Sequence, residues 1–527
     1  MITRPHVLVP PFSVGSTHNS RCPPGLLSAL TVGILALLAT LVHAHGKMHS
    51  DEPMCADAAI NVLHGRGFIN NASDWIPPDT PAPFVMMAHT AGLAAWMSAF
   101  GSTRTAVIGF NVALFAASAT LLRALFLRLV PKAPTTLTLL LPALFFCHPA
   151  SNAVYSINRY DAIGTPLFLT AALILFWDNS FSRRLTLALL GFATPLVGLH
   201  VALTAVAMSL VMAALFATSD DVRLREAAVD ALYFGLSALV STLILLYAIP
   251  GDGPRDSRAS LTTRLKSAPP LMTMLWQATI GGAFASPIRT GIFPLAFTLA
   301  VLALKDPGSL PSSFRVGVSP AMLGIILNFT VALALGVLGA YYHRYTWLVA
   351  PPLLISLMAC LSRCDLSPLV SRAALATGIV SVLPGFPASA FAAAIEWQPW
   401  NYASVSSFIN DHVSPEDRVY SDFGGYYGVK SVAQAAYFGP AFNKLPDSKK
   451  RSLRVAVFQY PKGNIQSPDE ERVLAEIGGE WKLSGELHIP RGTLRQKIPP
   501  APRVPTTWHF KIFRRVDETI SDSSDAF

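Results

Sequence analysis

Charged side chains are scarce in this chain: Asp, Glu, Lys and Arg make up 13% of its 527 residues, whereas hydrophobic residues make up 52%. Soluble globular proteins carry about 25% charged residues, so this composition excludes an ordinary soluble fold. The net charge of +9 comes from basic residues dispersed along the chain, which argues against a nucleic-acid-binding domain. The sequence therefore predicts an integral membrane protein.

Ligand motifs built on cysteine or glycine are also absent from the sequence. The five cysteines show no metal-ligand spacing, and most lie in or beside apolar runs, where cysteine acts as a small hydrophobe. A disulfide between Cys55 and Cys147 is an alternative if both residues lie on the outer face. A glycine-rich phosphate loop is missing, which argues against a nucleotide donor. We therefore expect no metal and no cofactor.

Long apolar runs are what the sequence has in abundance. A helix needs about 20 apolar residues to cross about 30 Å of hydrocarbon. Eleven runs approach this length, two of them only with tilt or membrane thinning. The first run is interpreted as an uncleaved anchor, because its polar lead is long and further spans follow. The runs lie near residues 25–45, 104–128, 134–148, 161–177, 185–199, 200–217, 229–249, 286–304, 318–341, 346–361 and 373–393.

The distribution of lysine and arginine orients the chain, because these residues collect in cytoplasmic loops. If residues 83–100 lie in the membrane interface instead of crossing it, the basic residues near Arg123, Arg183 and Lys305 all face the cytoplasm. We therefore predict about eleven transmembrane helices, a cytoplasmic N-terminus, an interfacial helix in the first outer loop and an external C-terminus. The loop at 250–285 is an exception, since it is external in this topology yet carries several basic residues.

The composition changes near Glu396, where apolar runs shorten and charged residues return. We predict a cytoplasmic N-terminal segment (1–24), a transmembrane domain (25–395) and an external soluble α/β domain (396–527). The residue pattern of the last segment predicts helices at 402–411 and 467–478, strands at 418–422, 453–460, 481–489 and 508–515, and a proline-rich loop at 495–507.

Three predicted outer loops carry the ionisable residues that stand out from the apolar background. An acidic pair at a membrane surface is unfavourable in free energy, which favours a functional role for it. A carboxylate can take a proton from an acceptor hydroxyl, and arginine can neutralise a leaving phosphate. These residues are Asp51 and Glu52 after the first span, Arg159 and Asp161 after the third, and His343, Arg344 and Tyr345 after the ninth.

The order of these motifs resembles the GT-C glycosyltransferases, in particular protein O-mannosyltransferases and lipid A aminoarabinose transferases. The matching stretches are Asp51–Phe68, which ends in Gly-Arg-Gly-Phe, then Asn158–Asp161, and then His343–Pro352. The likeness covers residues 25–360. The chain lacks the His-Pro-Pro that often follows the first loop in mannosyltransferases and has a proline-rich stretch, Pro77–Pro83, instead.

The resemblance implies a glycosyltransferase that moves a sugar from a polyprenyl-phosphate donor to an acceptor hydroxyl on the extracytoplasmic face. The implied partners are that donor, membrane lipids and a protein, lipid or glycan acceptor, and the implied location is the bacterial inner membrane. GT-C oligosaccharyltransferases hold a divalent ion with an Asp-x-Asp motif, a spacing that Asp51-Glu52 lacks, so we expect a metal-independent reaction. The resemblance makes Asp51, Glu52 and Asp161 catalytic and assigns Arg159, His343, Arg344 and Tyr345 to the donor phosphate.

Each of these residues also has a structural interpretation. Asp51 and Glu52 suit the first turn of an interfacial helix, and Asp161 suits the cap of the following span. Arg159 can simply pair with Asp161, and Arg344 can extend to lipid headgroups. At the level of function, a transporter or flippase of lipid-linked sugars would place ionisable residues inside spans that here nearly lack them. A non-catalytic envelope assembly subunit is the other alternative.

Overall fold

A computed structural model describes most of the chain, and the sequence dictates a largely helical architecture. The described residues are 24–46, 48–49, 51–73, 77–82, 86–217, 222–248, 291–305, 320–337, 346–362, 366–433, 435–460, 469–489 and 508–516. The helices up to residue 395 are α1 (Pro24–His45), α2 (Asp51–Leu63), α3 (Met87–Phe100), α4 (Arg104–Leu129), α5 (Thr135–Cys147), α6 (Pro149–Tyr155), α7 (Gly164–Ile174), α8 (Ser180–Val197), α9 (Leu199–Phe216), α10 (Val222–Leu243), α11 (Ile292–Lys305), α12 (Pro320–Val337), α13 (Ala350–Leu361), α14 (Pro368–Val382) and α15 (Phe386–Ile395).

Several of these helices are long and apolar enough to cross a membrane. Among the described residues, four helical stretches meet this criterion, namely Pro24–His45, Arg104–Leu129, Leu199–Phe216 and Arg225–Tyr247. Two bent pairs, α5 with α6 (52°) and α14 with α15 (46°), raise the number to six if each pair forms one broken span. Each predicted apolar run contains a described helix. The chain is an integral membrane protein, while eleven crossings and their orientation stay a prediction.

The first outer loop contains two helices that follow α1. Helix α2 begins at Asp51, and both Asp51 and Glu52 occupy its first turn. Helix α3 has 14 residues, so it is about 21 Å long at 1.5 Å per residue, which is short of the hydrocarbon thickness. Its length suits the interfacial helix predicted at 83–100, whose first residues partly lie outside the described part of the chain.

The C-terminal segment forms a mixed five-stranded sheet flanked by helices. The strand order is β2-β1-β3-β5-β4, with β1 parallel to β2 and β3, and β5 antiparallel to β3 and β4. The small sheet confirms the α/β character predicted for this region. Its elements are α16 (Tyr402–Asn410), β1 (Arg418–Ser421), α17 (Tyr426–Val432), β2 (Ala435–Phe438), α18 (Asp447–Arg451), β3 (Val455–Tyr460), α19 (Glu470–Ile477), β4 (Glu480–Ile489) and β5 (Trp508–Val516).

Two apolar cores explain how the sheet is attached to the membrane region. One core joins the apolar helices of the predicted transmembrane domain, and it includes α4, α5, α9 and α13. A second core is shared by the first outer loop and the sheet domain, and it brings Ile60 and Leu93 together with Val405 and Tyr426. Because burial of apolar surface drives association, the sheet domain is packed against α2 and α3. The outer loop is thus held between the two domains.

Candidate functional site

Asp51 is the first residue of helix α2 and has an accessible carboxylate. Its side chain is 36% exposed, and its oxygen Oδ1 lies 3.7 Å from Nδ1 of His49. The backbone N–H of Asp51 donates to the same His49 nitrogen at 3.1 Å. The start of α2 therefore holds a partly exposed carboxylate and an imidazole together.

Glu52, the neighbouring residue, lies in a different environment. Its side chain is fully buried, and its two oxygens accept hydrogen bonds from Nε and Nη2 of Arg104 at 2.8 and 3.2 Å. Arg104 also donates to the carbonyls of Ala44, at 2.9 Å, and of Gly46, and its guanidinium lies 4.8 Å from the ring centre of Tyr402. The pair joins α1, α2, α4 and α16. This geometry favours an anchoring role for Glu52, whose predicted catalytic role stays a prediction.

Arg159 and Asp161 form a second buried ion pair in the second outer loop. Nε and Nη2 of Arg159 donate to the two oxygens of Asp161 at 3.1 and 2.9 Å. Nε2 of His200, from the first turn of α9, lies 3.3 Å from Oδ2 of the same carboxylate. Asp161 lies within a 3₁₀ turn, Tyr160–Ile163, and its side chain caps no helix. The carboxylate therefore orients Arg159 and His200, which differs from the capping alternative.

The two outer loops meet around the thiol of Cys55. This thiol lies against the backbone of Tyr160, and burial together with the nearby carboxylate of Asp51 raises its pKa. Tyr160 lies between Arg159 and Asp161 in the sequence, so this contact brings α2 next to the loop that carries the Arg159–Asp161 pair. Cys55 and Cys147 are both free thiols, so the disulfide considered between them is absent. Each is buried in its own helix.

A chain of buried polar side chains continues from Arg159 into the membrane region. Nδ2 of Asn111 donates to the backbone carbonyl of Arg159 at 3.3 Å, and Nε2 of His89 lies 3.3 Å from Oδ1 of Asn111. Burial lowers the pKa of His89 to about 4, so this imidazole is neutral at physiological pH. Hydroxyl and ring atoms of Thr90, His89 and Thr165 are buried without a hydrogen-bond partner among the described residues. Buried polar atoms without a hydrogen-bond partner are rare in folded proteins.

The sequence motifs do not single out His89 or Asn111. Both residues are polar and lie at inward positions of apolar helices. Polar side chains in a membrane cost free energy, so this pattern indicates a functional or structural role. His200 carries the same signal near the start of α9.

The third motif is only partly described. His343, Arg344 and Tyr345 lie outside the described residues, so their predicted contact with a lipid phosphate stays a prediction. The segment that follows, Thr346–Leu348, forms a 3₁₀ turn. Trp347 in this turn is fully buried, and a Cβ atom added to Gly164 would lie only 2.8 Å from its ring. The end of the third motif is therefore packed against the start of α7, next to the second motif.

Helix α2 is also fixed to the sheet domain by buried polar contacts. Nζ of Lys430 lies 2.8 Å from Oδ1 of Asp57 and donates to Oδ1 of Asn61 at 2.8 Å. The hydroxyl of Tyr426 donates to Oδ1 of Asp57 at 3.0 Å, and the backbone N–H of Asn71 donates to Oδ2 at 2.7 Å. Asp57 is fully buried and Lys430 is 3% exposed, so this charged pair is satisfied within the protein.

A smaller polar contact also joins the first predicted outer loop to the sheet domain. The carboxylate of Asp79 accepts hydrogen bonds from Tyr437, at 3.1 Å, and from Lys449, and from Nδ2 of Asn71 at 3.0 Å. The backbone N–H of Phe438 donates to the carbonyl of Asn71 at 3.2 Å.

The described residues contain no group of three or more His, Cys, Asp and Glu side chains arranged to hold a metal ion.

Comparison with known proteins identifies a shared fold. The chain matches no protein-family model, and the search of curated proteins gives no match. A solved structure, ArnT from Cupriavidus metallidurans bound to undecaprenyl phosphate, superposes with a TM-score of 0.55 at 12% sequence identity, covering 93% of this chain and 98% of that chain. The match shows that this chain shares the fold of ArnT, in agreement with the likeness to the GT-C transferases that the sequence motifs suggested.

Proposed function

We propose that this chain is a glycosyltransferase that moves a sugar from a polyprenyl-phosphate donor to an acceptor hydroxyl at the extracytoplasmic membrane face. The GT-C fold supports this proposal at the level of architecture, and ArnT, which has that fold, was solved with undecaprenyl phosphate. The observation that carries the proposal is the contact between the first two predicted outer loops, in which Cys55 of α2 lies against the backbone of Tyr160, the residue between Arg159 and Asp161. Two loops about 100 residues apart thereby supply a carboxylate and a guanidinium to one region.

Asp51 is the best-placed general base among the acids of this region. Glu52, Asp57 and Asp161 are fully buried and bound to cations, whereas Asp51 is 36% exposed. A general base must reach the proton that it removes. A buried carboxylate that already accepts two hydrogen bonds from a guanidinium gains little by taking a proton. Asp161 accordingly acts as the positioning residue for Arg159, and Glu52 anchors the start of α2.

Arg159 is proposed to bind the phosphate of the donor. The bidentate contact with Asp161 fixes the plane of its guanidinium, and a pre-oriented guanidinium loses less entropy when it binds an oxyanion. His343, Arg344 and Tyr345 complete the proposed phosphate site, because the turn that follows them packs beside the second motif. A cation at this place stabilises the negative charge that develops on the leaving group.

The reaction is proposed as one in-line displacement. Asp51 accepts the proton of the acceptor hydroxyl while the acceptor oxygen forms a bond to the anomeric carbon. The bond from that carbon to the phosphate oxygen breaks, and the polyprenyl phosphate leaves with the electron pair beside Arg159. A single displacement inverts the anomeric configuration, and the proposed step uses no metal. The bacterial inner membrane is the proposed location, with the sheet domain on the outer side.

Mass spectrometry of membrane lipids and surface glycans in a deletion strain tests the proposal. We expect one sugar substituent to disappear and to return when the wild-type chain or the Asp411→Asn variant is expressed, because Asp411 is exposed and distant in sequence from the site. Expression of Asp51→Asn should leave the substituent missing at equal protein level. Accumulation of a lipid-linked sugar without loss of any substituent would instead identify a transporter.

A further inference from the structure

Within the described ranges, two residues other than glycine adopt a left-handed backbone conformation, and their side chains are bound very differently. They are Asp79, with a φ of +60°, and Asn158, with a φ of +49°. Side chains rarely adopt this conformation, because Cβ then lies close to the following carbonyl oxygen, although Asp and Asn tolerate it better than most residues. A residue held in this way needs contacts that compensate for the backbone strain.

The side chain of Asp79 supplies such contacts. Its carboxylate accepts hydrogen bonds from Asn71, Tyr437 and Lys449. Its backbone N–H also donates to Oδ1 of Asn71 at 2.7 Å. Partners from the first predicted outer loop and from the sheet domain therefore compensate for the left-handed conformation at this residue.

Asn158 lacks this compensation. It lies in the turn that joins α6 to the 3₁₀ turn Tyr160–Ile163, directly before Arg159, and its side chain is fully buried. In the part of the chain that the structure describes, neither atom of its amide has a hydrogen-bond partner of good geometry. Such an amide costs free energy, because it has lost its hydrogen bonds to water. A local cost without a gain for the fold indicates a functional role for the side chain.

The imidazole of His89 lies close to Asn158 and presents an acceptor. The amide of Asn158 is near enough to favour the charged form of this imidazole. Nδ2 of Asn111 donates to the carbonyl of Arg159, so Oδ1 of Asn111 accepts the proton of Nε2 of His89. Nδ1 of His89 is then an acceptor, and among the described residues it has no partner of good geometry. Asn158 and His89 together offer donor and acceptor atoms beside Arg159.

These atoms fit uncharged hydroxyl groups better than a cation. A hydroxyl both donates and accepts, so neighbouring hydroxyls can bind an amide and an imidazole nitrogen at once. An ammonium group would lie beside the guanidinium of Arg159. The carboxylate of Asp161 already contacts both Arg159 and His200, and like charges repel. The chemistry of Asn158 and His89 therefore matches the hydroxyl groups of a neutral sugar.

We propose that Asn158 and His89 bind hydroxyl groups of the donor sugar and thereby select a neutral sugar. This inference rests on the proposed function, in which Arg159 binds the phosphate to which the sugar is attached. Neighbouring Cα atoms are about 3.8 Å apart, so a sugar on that phosphate lies within reach of Asn158. Both side chains are buried, and the turn before Arg159 opens when the sugar enters. The opening costs less because the closed turn gains no hydrogen bond from the amide of Asn158.

Binding of lipid-linked sugars to the full chain in nanodiscs tests the proposal. The probes are polyprenyl phosphate alone and polyprenyl phosphate that carries glucose, galactose, mannose or glucosamine. We expect the wild-type chain to bind one of the neutral hexose conjugates more tightly than polyprenyl phosphate alone. Asn158→Gly should bind that conjugate about tenfold more weakly, because it loses hydrogen bonds to the sugar. Its affinity for polyprenyl phosphate alone should stay within about twofold of wild type.

Thermal unfolding separates a binding role of Asn158 from a structural one. Asn158→Gly should unfold at no lower temperature than wild type, because glycine removes both the strained conformation and the unpaired amide. Asp79→Gly is the matched control at the other left-handed residue. It removes three side-chain contacts, so it should not gain stability, and it should bind every probe within about twofold of wild type.

Three results would overturn the proposal. A lower unfolding temperature of Asn158→Gly, with equal weakening for the conjugate and for polyprenyl phosphate alone, would show that Asn158 only supports the fold. Tightest binding of the glucosamine conjugate, or equal binding of all conjugates and polyprenyl phosphate alone, would show that the chain does not select a neutral sugar, while the proposed phosphate site would stand. Absence of binding of every probe would contradict the proposed function itself.

Discussion

The acids on helix α2 lie in two contrasting environments although they belong to one short helix. Asp51 is partly exposed beside His49 and Cys55, whereas Glu52 and Asp57 are fully buried and each is paired with a cation. The partners of the buried acids tie α2 to α4 and to the sheet domain. The comparison separates carboxylates that hold the structure together from the one that can meet a substrate.

The reason for this difference lies in the geometry of the helix. Successive residues of an α-helix point about 100° apart, so Asp51 and Glu52 cannot face the same region. Asp51 shares its side with Cys55, four residues later. A buried charge persists only when it is paired and hydrogen-bonded, and Glu52 and Asp57 meet that condition through residues far away in the sequence. The accessible acid is thus carried on a helix whose other acids are immobilised.

Breaking the Glu52–Arg104 pair should have the largest effect on stability. The variant Arg104→Met leaves a buried carboxylate without a cation, which costs about 3–5 kcal/mol, and also removes two contacts to the end of α1. Thermal unfolding in detergent measures the loss. The exposed neighbour Arg66 provides the control, since Arg66→Met should change stability by less than about 0.5 kcal/mol. Restoration of part of the loss by adding Glu52→Gln would verify the cause, and its absence would contradict the pairing.

Removal of the charge opposite Asp57 should have a somewhat smaller effect. In Lys430→Met, the carboxylate of Asp57 still accepts hydrogen bonds from Tyr426, Asn61 and Asn71. We therefore expect the free energy of unfolding to fall by about 3 kcal/mol, the lower end of the range for a broken buried pair. Hydrogen exchange should rise in both α2 and α17, because the pair connects them. Lys482→Met, at an exposed position of β4, should leave exchange in both helices unchanged. Faster exchange in α17 alone would show that the sheet domain does not hold α2.

Loss of the contact at Asp79 should reduce the stability least, and this reduction should depend on pH. Burial favours the protonated acid, but hydrogen bonds from Lys449 and Asn71 outweigh it and lower the pKa of Asp79 from its ordinary value. A folded-state pKa below the unfolded value means that the stabilisation is complete above the ordinary pKa and is lost as the pH falls through the folded pKa. We expect Asp79→Asn to cost less than about 1 kcal/mol at pH 7.

A series of unfolding measurements from pH 7 to pH 3 checks this prediction. The stability difference between wild type and Asp79→Asn should shrink towards the acidic end of the series. A difference that stays constant with pH would show that the carboxylate contributes through packing instead of charge.

Local patterns in the sequence predicted much of the fold. The helix expected at 402–411 is Tyr402–Asn410, and the strands expected at 453–460 and 508–515 are Val455–Tyr460 and Trp508–Val516. These elements have clear alternation or capping signals that act within a few residues. Strand β2 and helix α17 were not predicted, because each is short, and α17 directly follows Gly424 and Gly425. The GT-C fold was recognised from three motifs in order, and the structural match confirms it.

The candidate site was harder to predict than the fold. The partner of Asp57 is Lys430, 373 residues later, and no local pattern indicates such a contact. Asp51 and Glu52 were treated as one acidic pair, although a helix that starts at Asp51 already implies different directions for them. Residues 343–345 stay predictions, since they lie outside the described part of the chain.

The comparison between Asp51 and Glu52 is tested most directly by measuring sugar transfer and thermal unfolding for Asp51→Asn and Glu52→Gln side by side. We predict that Asp51→Asn unfolds like wild type yet loses about 10²–10⁴-fold in transfer rate, the usual contribution of a general base. Glu52→Gln should unfold at lower temperature and keep much of its transfer rate per folded molecule. Normal transfer by Asp51→Asn, or an inactive but fully stable Glu52→Gln, would contradict the assignment of Asp51 as the reactive carboxylate.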